Sequence, residues 1–268
     1  MYVKSGCRIY RCERCGVGRA DPGGFDPNQY YTADYFEGGR DDGYADYAAS
    51  QDVLRQEFAA IARRLKPYVP PRGTVLEIGC AYGFFLQEAR RIWSVYGIEI
   101  SAEAVAHCHA TGLPTVEQGE ASDLAQRDLP ALDAVVMLDV IEHLPDPFGA
   151  LRQSALMLKP GGVVYLSTGD FSSLYARVSG PRWRLMTPPQ HLWFLTPRWL
   201  DRAAAASGLE VVSLTHPTKR VPLSLVLYQL RRLAGLRPSL PPAWLNRLAL
   251  PINLFDAMHV VLRKRGEA

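Results

Sequence analysis

The stretch 74–92 constrains the fold more than any other part of the chain, because a buried-strand pattern passes through a glycine-rich turn into a helical pattern. Residues 74–78 are apolar and β-branched enough for a central parallel strand. The apolar residues that then recur at helical spacing are Phe84, Phe85, Ala89 and Ile92. Gly79 and Gly83 permit a positive φ and remove side-chain bulk, so a ligand can approach the backbone N–H groups at the helix start. The stretch therefore predicts a nucleotide-binding corner of an α/β sheet.

Acidic residues follow the next predicted strands, at positions suited to the polar groups of a nucleoside. Glu99 lies near the end of the second strand, where its carboxylate can accept both hydroxyls of a ribose. Asp123 follows the third strand, where it can accept from an adenine amino group, and Asp139 follows the fourth. These three strands are predicted over residues 95–100, 115–118 and 131–138. Three carboxylates and a glycine turn suit a cofactor that carries adenine, ribose and an amino-acid tail.

The turn differs from the fingerprint of nicotinamide-dependent oxidoreductases. That fingerprint requires small residues at positions 79, 81 and 84, whereas this chain carries Phe84. A large side chain there obstructs the close contact between helix and strand that the third glycine allows. The sequence therefore disfavours a dehydrogenase.

Together these residues resemble the class I S-adenosylmethionine-dependent methyltransferases, strongly from about Thr74 to Thr168. Residues 75–83 are similar to the family's first motif, 139–145 to the segment after the fourth strand, and 158–165 to the turn into the fifth. Ala81 stands where many relatives carry glycine, and a methyl group is small enough there. The resemblance implies a Rossmann-like, doubly wound α/β fold with a seven-stranded sheet, a reversed C-terminal β-hairpin, an N-terminal extension and a helical insertion before the last strand.

The resemblance also implies S-adenosyl-L-methionine as the cofactor. Within it, Glu77 supports the amino group of the methionine portion, Glu99 binds the ribose and Asp123 lies on the adenine side. Cys80 is expected to pack in the turn rather than to act as a nucleophile. The expected cofactor-binding residues are Glu77, Gly79, Cys80, Ala81, Gly83, Glu99, Ile100, Asp123, Leu138 and Asp139.

Two histidines are the main catalytic candidates, because an imidazole titrates near neutrality and can accept a proton. His191 lies in an aromatic segment, 186–197, that we expect over the transferred methyl group; methyltransferases of sugars and other small metabolites carry similar segments. The alternative is a histidine that caps the next helix or anchors the loop. His143 follows the fourth strand, where a structural role competes with catalysis. Glu142 and Asp170 are further candidates for the base.

Three cysteines near the N-terminus suggest a metal site. Cys12 and Cys15 have the spacing of one zinc-ribbon knuckle, and Cys7 is a possible third ligand, but no fourth ligand lies nearby. Resembling methyltransferases often carry two complete knuckles before the catalytic domain. The competing interpretation is a set of reduced, partly exposed thiols.

We predict three regions in the chain. Residues 1–50 form an N-terminal extension that contains the cysteines and an aromatic loop. Residues 51–216 form the methyltransferase core, in which 169–197 is the substrate loop. Residues 217–268 hold a basic helical insertion, with a helix over 223–236, and the final strand of the core.

Charge and hydropathy restrict the partners. The formal net charge is +3, but residues 217–268 carry nine Lys and Arg against two acids. This basic region favours contact with an anionic surface, and a solvated helix face explains it equally well. No apolar run approaches the roughly twenty residues that a membrane span needs, and the N-terminus lacks the apolar core of a signal peptide, so we expect a cytoplasmic protein.

The sequence favours methyl transfer to a small metabolite, such as a sugar, a nucleotide sugar or a natural-product intermediate. Oxygen is the preferred acceptor atom over carbon or nitrogen. Nucleic acid is disfavoured as a partner, because the segment after the fourth strand lacks an Asn-Pro-Pro-Tyr-type sequence. The alternative function is a non-catalytic module that docks on an anionic lipid or protein through the basic C-terminal region. The sequence does not predict an oligomeric state.

Overall fold

A computed structural model describes residues 1–30, 51–222, 227 and 249–266. Within these residues the strands are β1 (Tyr2–Lys4), β2 (Cys7–Arg11), β3 (Gly18–Ala20), β4 (Thr74–Ile78), β5 (Ser94–Glu99), β6 (Val116–Gln118), β7 (Leu132–Leu138), β8 (Leu158–Gly169), β9 (Trp193–Phe194), β10 (Leu209–Thr215), β11 (Lys219–Pro222), β12 (Ala249–Ile252) and β13 (Ala257–Lys264). The α-helices are α1 (Pro27–Tyr30), α2 (Gln51–Leu65), α3 (Phe84–Ala89), α4 (Ala102–Ala110), α5 (Pro147–Met157), α6 (Leu174–Ser179) and α7 (Pro197–Ala206). Three short 3-10 helices span Ala121–Gln126, Ile141–His143 and Gly180–Arg182.

The central sheet has seven strands in the order β10-β13-β8-β7-β4-β5-β6. The strands from β4 to β8 pair in parallel, whereas β13 is antiparallel to both β8 and β10. This arrangement confirms the predicted Rossmann-like sheet with a reversed C-terminal hairpin. Ile78 is in register with Ile98 on one side and Met137 on the other. The residues that follow these three positions therefore meet at one edge of the sheet.

Apolar side chains cover both faces of this sheet, as a doubly wound fold requires. Along β7, Val135 and Met137 join the cluster that contains the buried residues of α5 and α7. Ala134 and Val136 alternate with them and join the opposite cluster, which contains residues of α2, α3 and α4. The period-two pattern of a fully buried strand thus anchors helices on both sides.

The N-terminal strands β1, β2 and β3 form an antiparallel meander, and β9 is its fourth strand. Gly18 is in register with Phe194, so the N-terminal residues are tied to the predicted substrate loop. Val17 is also buried in the main core. The predicted boundary at residue 50 stays a prediction, because residues 31–50 lie outside the described part of the chain.

At the C-terminal end, β11 and β12 pair as a two-stranded antiparallel ribbon. The helix predicted over 223–236 falls outside the described residues apart from Leu227, which is helical. None of the described helices is long and apolar enough to cross a bilayer.

Candidate active site

A cavity of about 560 Å³ lies at the edge of the sheet where β4, β5 and β7 end. Six of the ten predicted cofactor residues line it: Gly79, Ala81, Glu99, Ile100, Leu138 and Asp139. Glu77, Cys80, Gly83 and Asp123 are not part of its lining. Parallel strands bring their carboxyl ends to one edge, and this explains why residues far apart in the sequence meet around one space.

Glu99 presents its carboxylate to this cavity in a fixed orientation. Its Oε2 accepts the backbone N–H of Ala81 at 2.8 Å, and its Oε1 accepts that of Ser101 at 3.0 Å. Burial raises the pKa of Glu99, while the N–H donors of Ser101 and Ala81 lower it in part. Each carboxylate oxygen has a further lone pair, so the group suits two neighbouring hydroxyls of a ribose.

Glu77 lies deeper than Glu99, with only 3% of its surface exposed. Its Oε2 has no hydrogen-bond partner among the described residues. Burial raises the pKa of Glu77 well above its ordinary value, and the neighbouring Cys108 and Glu99 add to the increase. A buried acceptor without a donor suits a ligand ammonium group, although Glu77 is one layer below the cavity wall.

Gly79 and Gly83 are required in the turn for two reasons: each has a positive φ, and a Cβ at either position would clash with a neighbouring side chain. Gly79 has a φ of 69°, and a Cβ there would lie 2.6 Å from Cγ2 of Val140. Gly83 has a φ of 73°, and a Cβ there would lie 2.5 Å from Cδ1 of Leu113. Gly83 therefore admits a neighbouring side chain, not a ligand as we predicted. Ala81 adopts a φ of 47°, a conformation that L residues rarely adopt.

Cys80 is buried in the same turn, as expected for a packing residue. The Cys108 thiol beside it and burial raise the pKa of the Cys80 thiol well above its ordinary value. A thiol that resists ionisation is a poor nucleophile.

Asp123, the predicted adenine-side acid, does not line the cavity. Asp123 accepts the backbone N–H of Glu120 at 3.0 Å and so stabilises the start of the 3-10 helix Ala121–Gln126. Glu120 and Ser122 line the cavity instead. Glu120 lies two residues after β6, whose last residue, Gln118, is in register with Glu99 of β5. The acid that follows the strand end most closely was the sequence signal for this position.

The opposite side of the cavity contains a second polar group. Asp139 follows β7 with a φ of 53°, and its Oδ1 accepts the Ser167 hydroxyl at 2.9 Å. His259 pairs with Ser167 across β13 and β8, and it also lines the cavity. The His259 Nδ1 lies 2.8 Å from the Tyr165 hydroxyl. Only the pairing of β13 with β8 brings His259 to this wall, so no pattern within one segment predicts it.

The two predicted catalytic histidines occupy different layers. His143 lines the cavity, and burial lowers its pKa to about 4. His191 packs edge-on behind His143, with ring centroids 4.5 Å apart, and does not line the cavity. Burial and the neighbouring His143 lower the pKa of His191 well below its ordinary value. The predicted position of His191 over the methyl group is therefore corrected to a place behind the wall.

The predicted substrate loop 169–197 contributes no residue to the cavity lining. The wall that faces the sheet comes from the N-terminal helices: Pro27 from α1 and Leu54, Glu57, Phe58 and Ile61 from α2. The same helix also contributes Ile61, Ala62 and Leu65 to the core, so its apolar residues alone do not indicate a cavity wall. Asp170, a candidate base, is bonded to Ser172 and His216 outside the cavity.

The three N-terminal cysteines do not form one ligand set. Cys7 is buried on β2, where its thiol donates to the carbonyl of Ser5 at 3.6 Å. Cys12 and Cys15 lie beside each other, and hydrogen bonds from the Cys15 N–H and thiol lower the pKa of Cys12. In the described part of the chain, no cluster of three metal-ligating residues includes a cysteine. The predicted three-cysteine zinc site does not fit this geometry.

A family model described as a methyltransferase domain matches residues 51–214, which is more than half of the chain. The chain belongs to the class I S-adenosylmethionine-dependent methyltransferase family. The matched span begins at α2 and ends in β10, so it contains all of the cavity lining except Pro27 and His259. S-adenosyl-L-methionine is the cofactor of this family, and the Glu99 carboxylate and the orphaned Glu77 oxygen fit its ribose and ammonium groups.

Curated relatives of the methyltransferase include ubiquinone biosynthesis O-methyltransferases. The protein from Alkalilimnicola ehrlichii is 36% identical over 153 residues, which cover 52% of this chain and 62% of that relative. The protein from Cupriavidus pinatubonensis is 31% identical over 170 residues, which cover 59% of this chain and 68% of that relative. The matched region thus spans less than two thirds of the first relative and just over two thirds of the second.

Solved structures share the fold of the methyltransferase. Magnesium protoporphyrin IX methyltransferase from Synechocystis PCC 6803, solved with bound S-adenosylhomocysteine, superimposes with a TM-score of 0.57 and 14% identity, covering 88% of this chain and 97% of its own. A putative methyltransferase in complex with the Haloferax volcanii Trm112 activator gives a TM-score of 0.58 and 18% identity, covering 81% and 93%. At these identities the similarity establishes the fold alone.

Proposed function

We propose that this methyltransferase transfers the methyl group of S-adenosyl-L-methionine to a hydroxyl oxygen of a small molecule. The observation that carries the proposal is a cavity with two unlike polar walls. Glu99 and Glu120 border one end, where a nucleoside fits, and Asp139, Ser167 and His143 border the other. The O-methyltransferase activity named for the curated relatives supports oxygen as the acceptor atom.

The cofactor half of the cavity, defined by Gly79, Ala81, Glu99, Ile100 and Glu120, binds the nucleoside. Glu99 accepts from the ribose hydroxyls, and the backbone donors of Ala81 and Ser101 hold its carboxylate in place. Glu77 lies one layer below this half of the cavity, where its buried, unpartnered oxygen supports the methionine end of the site from behind. The bound cofactor supplies a sulfonium methyl group that is already activated, so the protein has to align the acceptor and exclude water.

The acceptor half, defined by Leu138, Asp139, His143, Ser167 and His259, orients the acceptor hydroxyl. Asp139 accepts its proton as the oxygen–methyl bond forms, since the carboxylate has a lone pair beyond the one bonded to Ser167. His143 is a weaker candidate for the base, because a pKa near 4 makes an imidazole a poor proton acceptor at neutral pH. His143 instead fixes the shape of the wall.

The chemistry of the walls favours an aromatic or otherwise apolar acceptor over a sugar. Apolar side chains of α2 and the segment after β7 line the space: Leu54, Phe58, Ile61, Val140 and Leu144. A phenolic hydroxyl combines such an apolar body with a proton that a carboxylate can remove. A cytoplasmic location, the absence of a nucleic-acid partner and contact with an anionic surface stay predictions from the sequence.

A methyl-transfer assay tests this proposal. Purified protein is incubated with methyl-labelled S-adenosyl-L-methionine and matched acceptors that differ in the receiving atom: catechols, the corresponding anilines and a nucleotide sugar. We expect labelled O-methyl ethers of the catechols, identified by mass spectrometry and NMR. Transfer to nitrogen or carbon alone, or no transfer by protein that binds S-adenosylhomocysteine, would contradict the proposal. Reactions without acceptor provide the background.

A further inference from the structure

Behind the His143 wall of the cavity, three metal-ligating side chains meet. Glu142, His143 and His191 each offer one donor atom, and these atoms all lie within 4.8 Å of one another. Glu142 and His143 belong to the 3-10 helix after β7, whereas His191 belongs to the segment that leads into β9. The backbone N–H of Leu192 donates to the Glu142 carbonyl at 2.9 Å and joins the two segments. The cluster is therefore built on backbone that is already fixed.

Both imidazoles are held in a tautomer that leaves the lone pair on Nε2. The His143 Nδ1 lies 2.9 Å from the carbonyl oxygen of Gln190, and the His191 Nδ1 lies 2.8 Å from that of Leu185. A carbonyl oxygen only accepts, so each Nδ1 carries the hydrogen and each neutral ring keeps its lone pair on Nε2. Metal-ligating histidines in proteins are commonly oriented by a hydrogen bond of this kind.

A small cavity of about 10 Å³ borders the cluster. Glu142, His191 and Thr168 supply its polar wall, and its other walls are mainly apolar. This volume is close to the minimum for one water molecule or ion. The Thr168 hydroxyl is buried, with 2% of the residue exposed, and has no hydrogen-bond partner among the described residues. An orphaned hydroxyl here points, independently of the imidazoles, to a bound species in the cavity.

We propose that Glu142, His143 and His191 bind one divalent transition-metal ion, and that zinc suits this donor set best. Two imidazoles and one carboxylate are a common three-ligand zinc set, which leaves a fourth position for water. That water can bond the Thr168 hydroxyl. With metal–ligand bonds of about 2.0–2.2 Å, the donor atoms draw together to about 3.3 Å when the ion binds.

The ion has a structural role: it positions the residues behind the acceptor half of the cavity. It ties the 3-10 helix that carries His143 to the segment that carries His191, and so it fixes the acceptor half of the cavity from behind. Methyl transfer from a sulfonium needs no metal ion, so the site is a further property of the chain and does not rest on the proposed function.

Metal content tests the site directly. The protein is stripped with a chelator, reconstituted with Zn²⁺, desalted and analysed by mass spectrometry of the metal. We expect one ion per chain in the wild type and a higher thermal midpoint with zinc than without it. Glu142→Gln and His191→Asn should bind well below one ion and lose the zinc-dependent shift. His216→Asn is the matched control, because it removes a histidine bonded to a carboxylate outside the cluster.

Any zinc found in the protein could instead be bound by the thiols of Cys12 and Cys15. Cys12→Ser/Cys15→Ser should keep the full ion content; loss of the ion from this double variant, with retention in Glu142→Gln, would overturn the site. Absence of bound zinc from reconstituted wild type would overturn it too, and would leave a water molecule in the small cavity. If the cluster variants do not fold, X-ray absorption of the zinc-loaded wild type decides: nitrogen and oxygen neighbours support the site, and sulfur neighbours overturn it.

Discussion

The cofactor half and the acceptor half of the cavity are built in different ways. In the cofactor half, Gly79 directly follows β4, Glu99 ends β5 and Glu120 lies two residues after β6, and these are three adjacent parallel strands. In the acceptor half, Asp139 is supported by Ser167, and the wall also requires His259 from a strand 120 residues later in the chain. The first half follows from local sequence and parallel pairing, whereas the second depends on contacts between distant segments.

The supporting hydrogen bonds differ in the same way. Backbone N–H groups hold the Glu99 carboxylate, and these groups persist whatever the side chains nearby. A single side-chain hydroxyl holds Asp139, whose backbone is in a left-handed conformation. A backbone-supported site suits a cofactor that never changes, and a site supported by side chains can be altered by substitution to fit another acceptor. We therefore expect mutations in the two halves to separate cofactor binding from turnover.

The largest expected effect is on cofactor affinity in Glu99→Ala. The substitution removes two charge-assisted hydrogen bonds to the ribose, and we expect the Kd of S-adenosylhomocysteine to rise about 100-fold or more, equivalent to about 3 kcal/mol. Isothermal titration calorimetry measures it. Glu117→Ala, at an exposed site on the neighbouring β6, should stay within about twofold of the wild type. If Glu99→Ala binds S-adenosylhomocysteine with the wild-type Kd, Glu99 does not contribute to cofactor binding.

Asp139→Asn should affect the acceptor half, and so lower turnover rather than cofactor affinity. The asparagine tolerates the positive φ and keeps an acceptor for Ser167, but it does not take up a proton. We expect kcat to fall about 100-fold, the lower end of the contribution of one general base, with the Kd of S-adenosylhomocysteine within about threefold of the wild type. Steady-state kinetics and calorimetry on the same preparation measure both. An equal loss in both quantities would show that the two halves are not separate.

The sequence predicted the cofactor half to a large extent. The turn after β4 and the acid after β5 are recognisable because strand, turn and helix patterns are contiguous, and the structure places Gly79 and Glu99 at the same cavity. Asp123 was expected on the adenine side but does not line the cavity, because composition alone does not distinguish an acid at a strand end from one that supports the start of the following 3-10 helix. Gly83 was misinterpreted because the contact that demands a glycine there comes from Leu113, thirty residues later.

The acceptor half was predicted far less well. His191 has the residue type of a base, but its place behind His143 depends on how the segment before β9 folds onto the 3-10 helix. The wall formed by α2 was missed because one apolar stripe serves both the core and the cavity. Patterns within one segment do not encode such contacts. They become visible only when the segments are assembled.

Glu77→Gln tests whether the acid buried beneath the wall of the cofactor half has a raised pKa. Burial raises the pKa of Glu77 in the folded protein, so the folded state holds a proton that the unfolded state releases above about pH 4.5. Wild-type stability should therefore decrease as the pH rises from 5 to 7, and the variant should lack that decrease. Urea unfolding at several pH values measures it. Parallel pH profiles for the two proteins would refute the assignment.

The smallest expected effect separates two acids that lie three residues apart. Glu120→Ala removes an exposed carboxylate from the adenine side of the cavity, and we expect the Kd of S-adenosylhomocysteine to rise about fivefold, equivalent to one hydrogen bond of about 1 kcal/mol. Asp123→Ala should leave the Kd within about twofold but lower the free energy of unfolding by about 1 kcal/mol, because the start of the 3-10 helix loses the side chain that accepts the backbone N–H of Glu120, its N-cap residue. Calorimetry and urea unfolding of this matched pair decide which acid faces the nucleoside. If Asp123→Ala weakens binding more than Glu120→Ala does, strand-end position is not what selects the acids of the cofactor half.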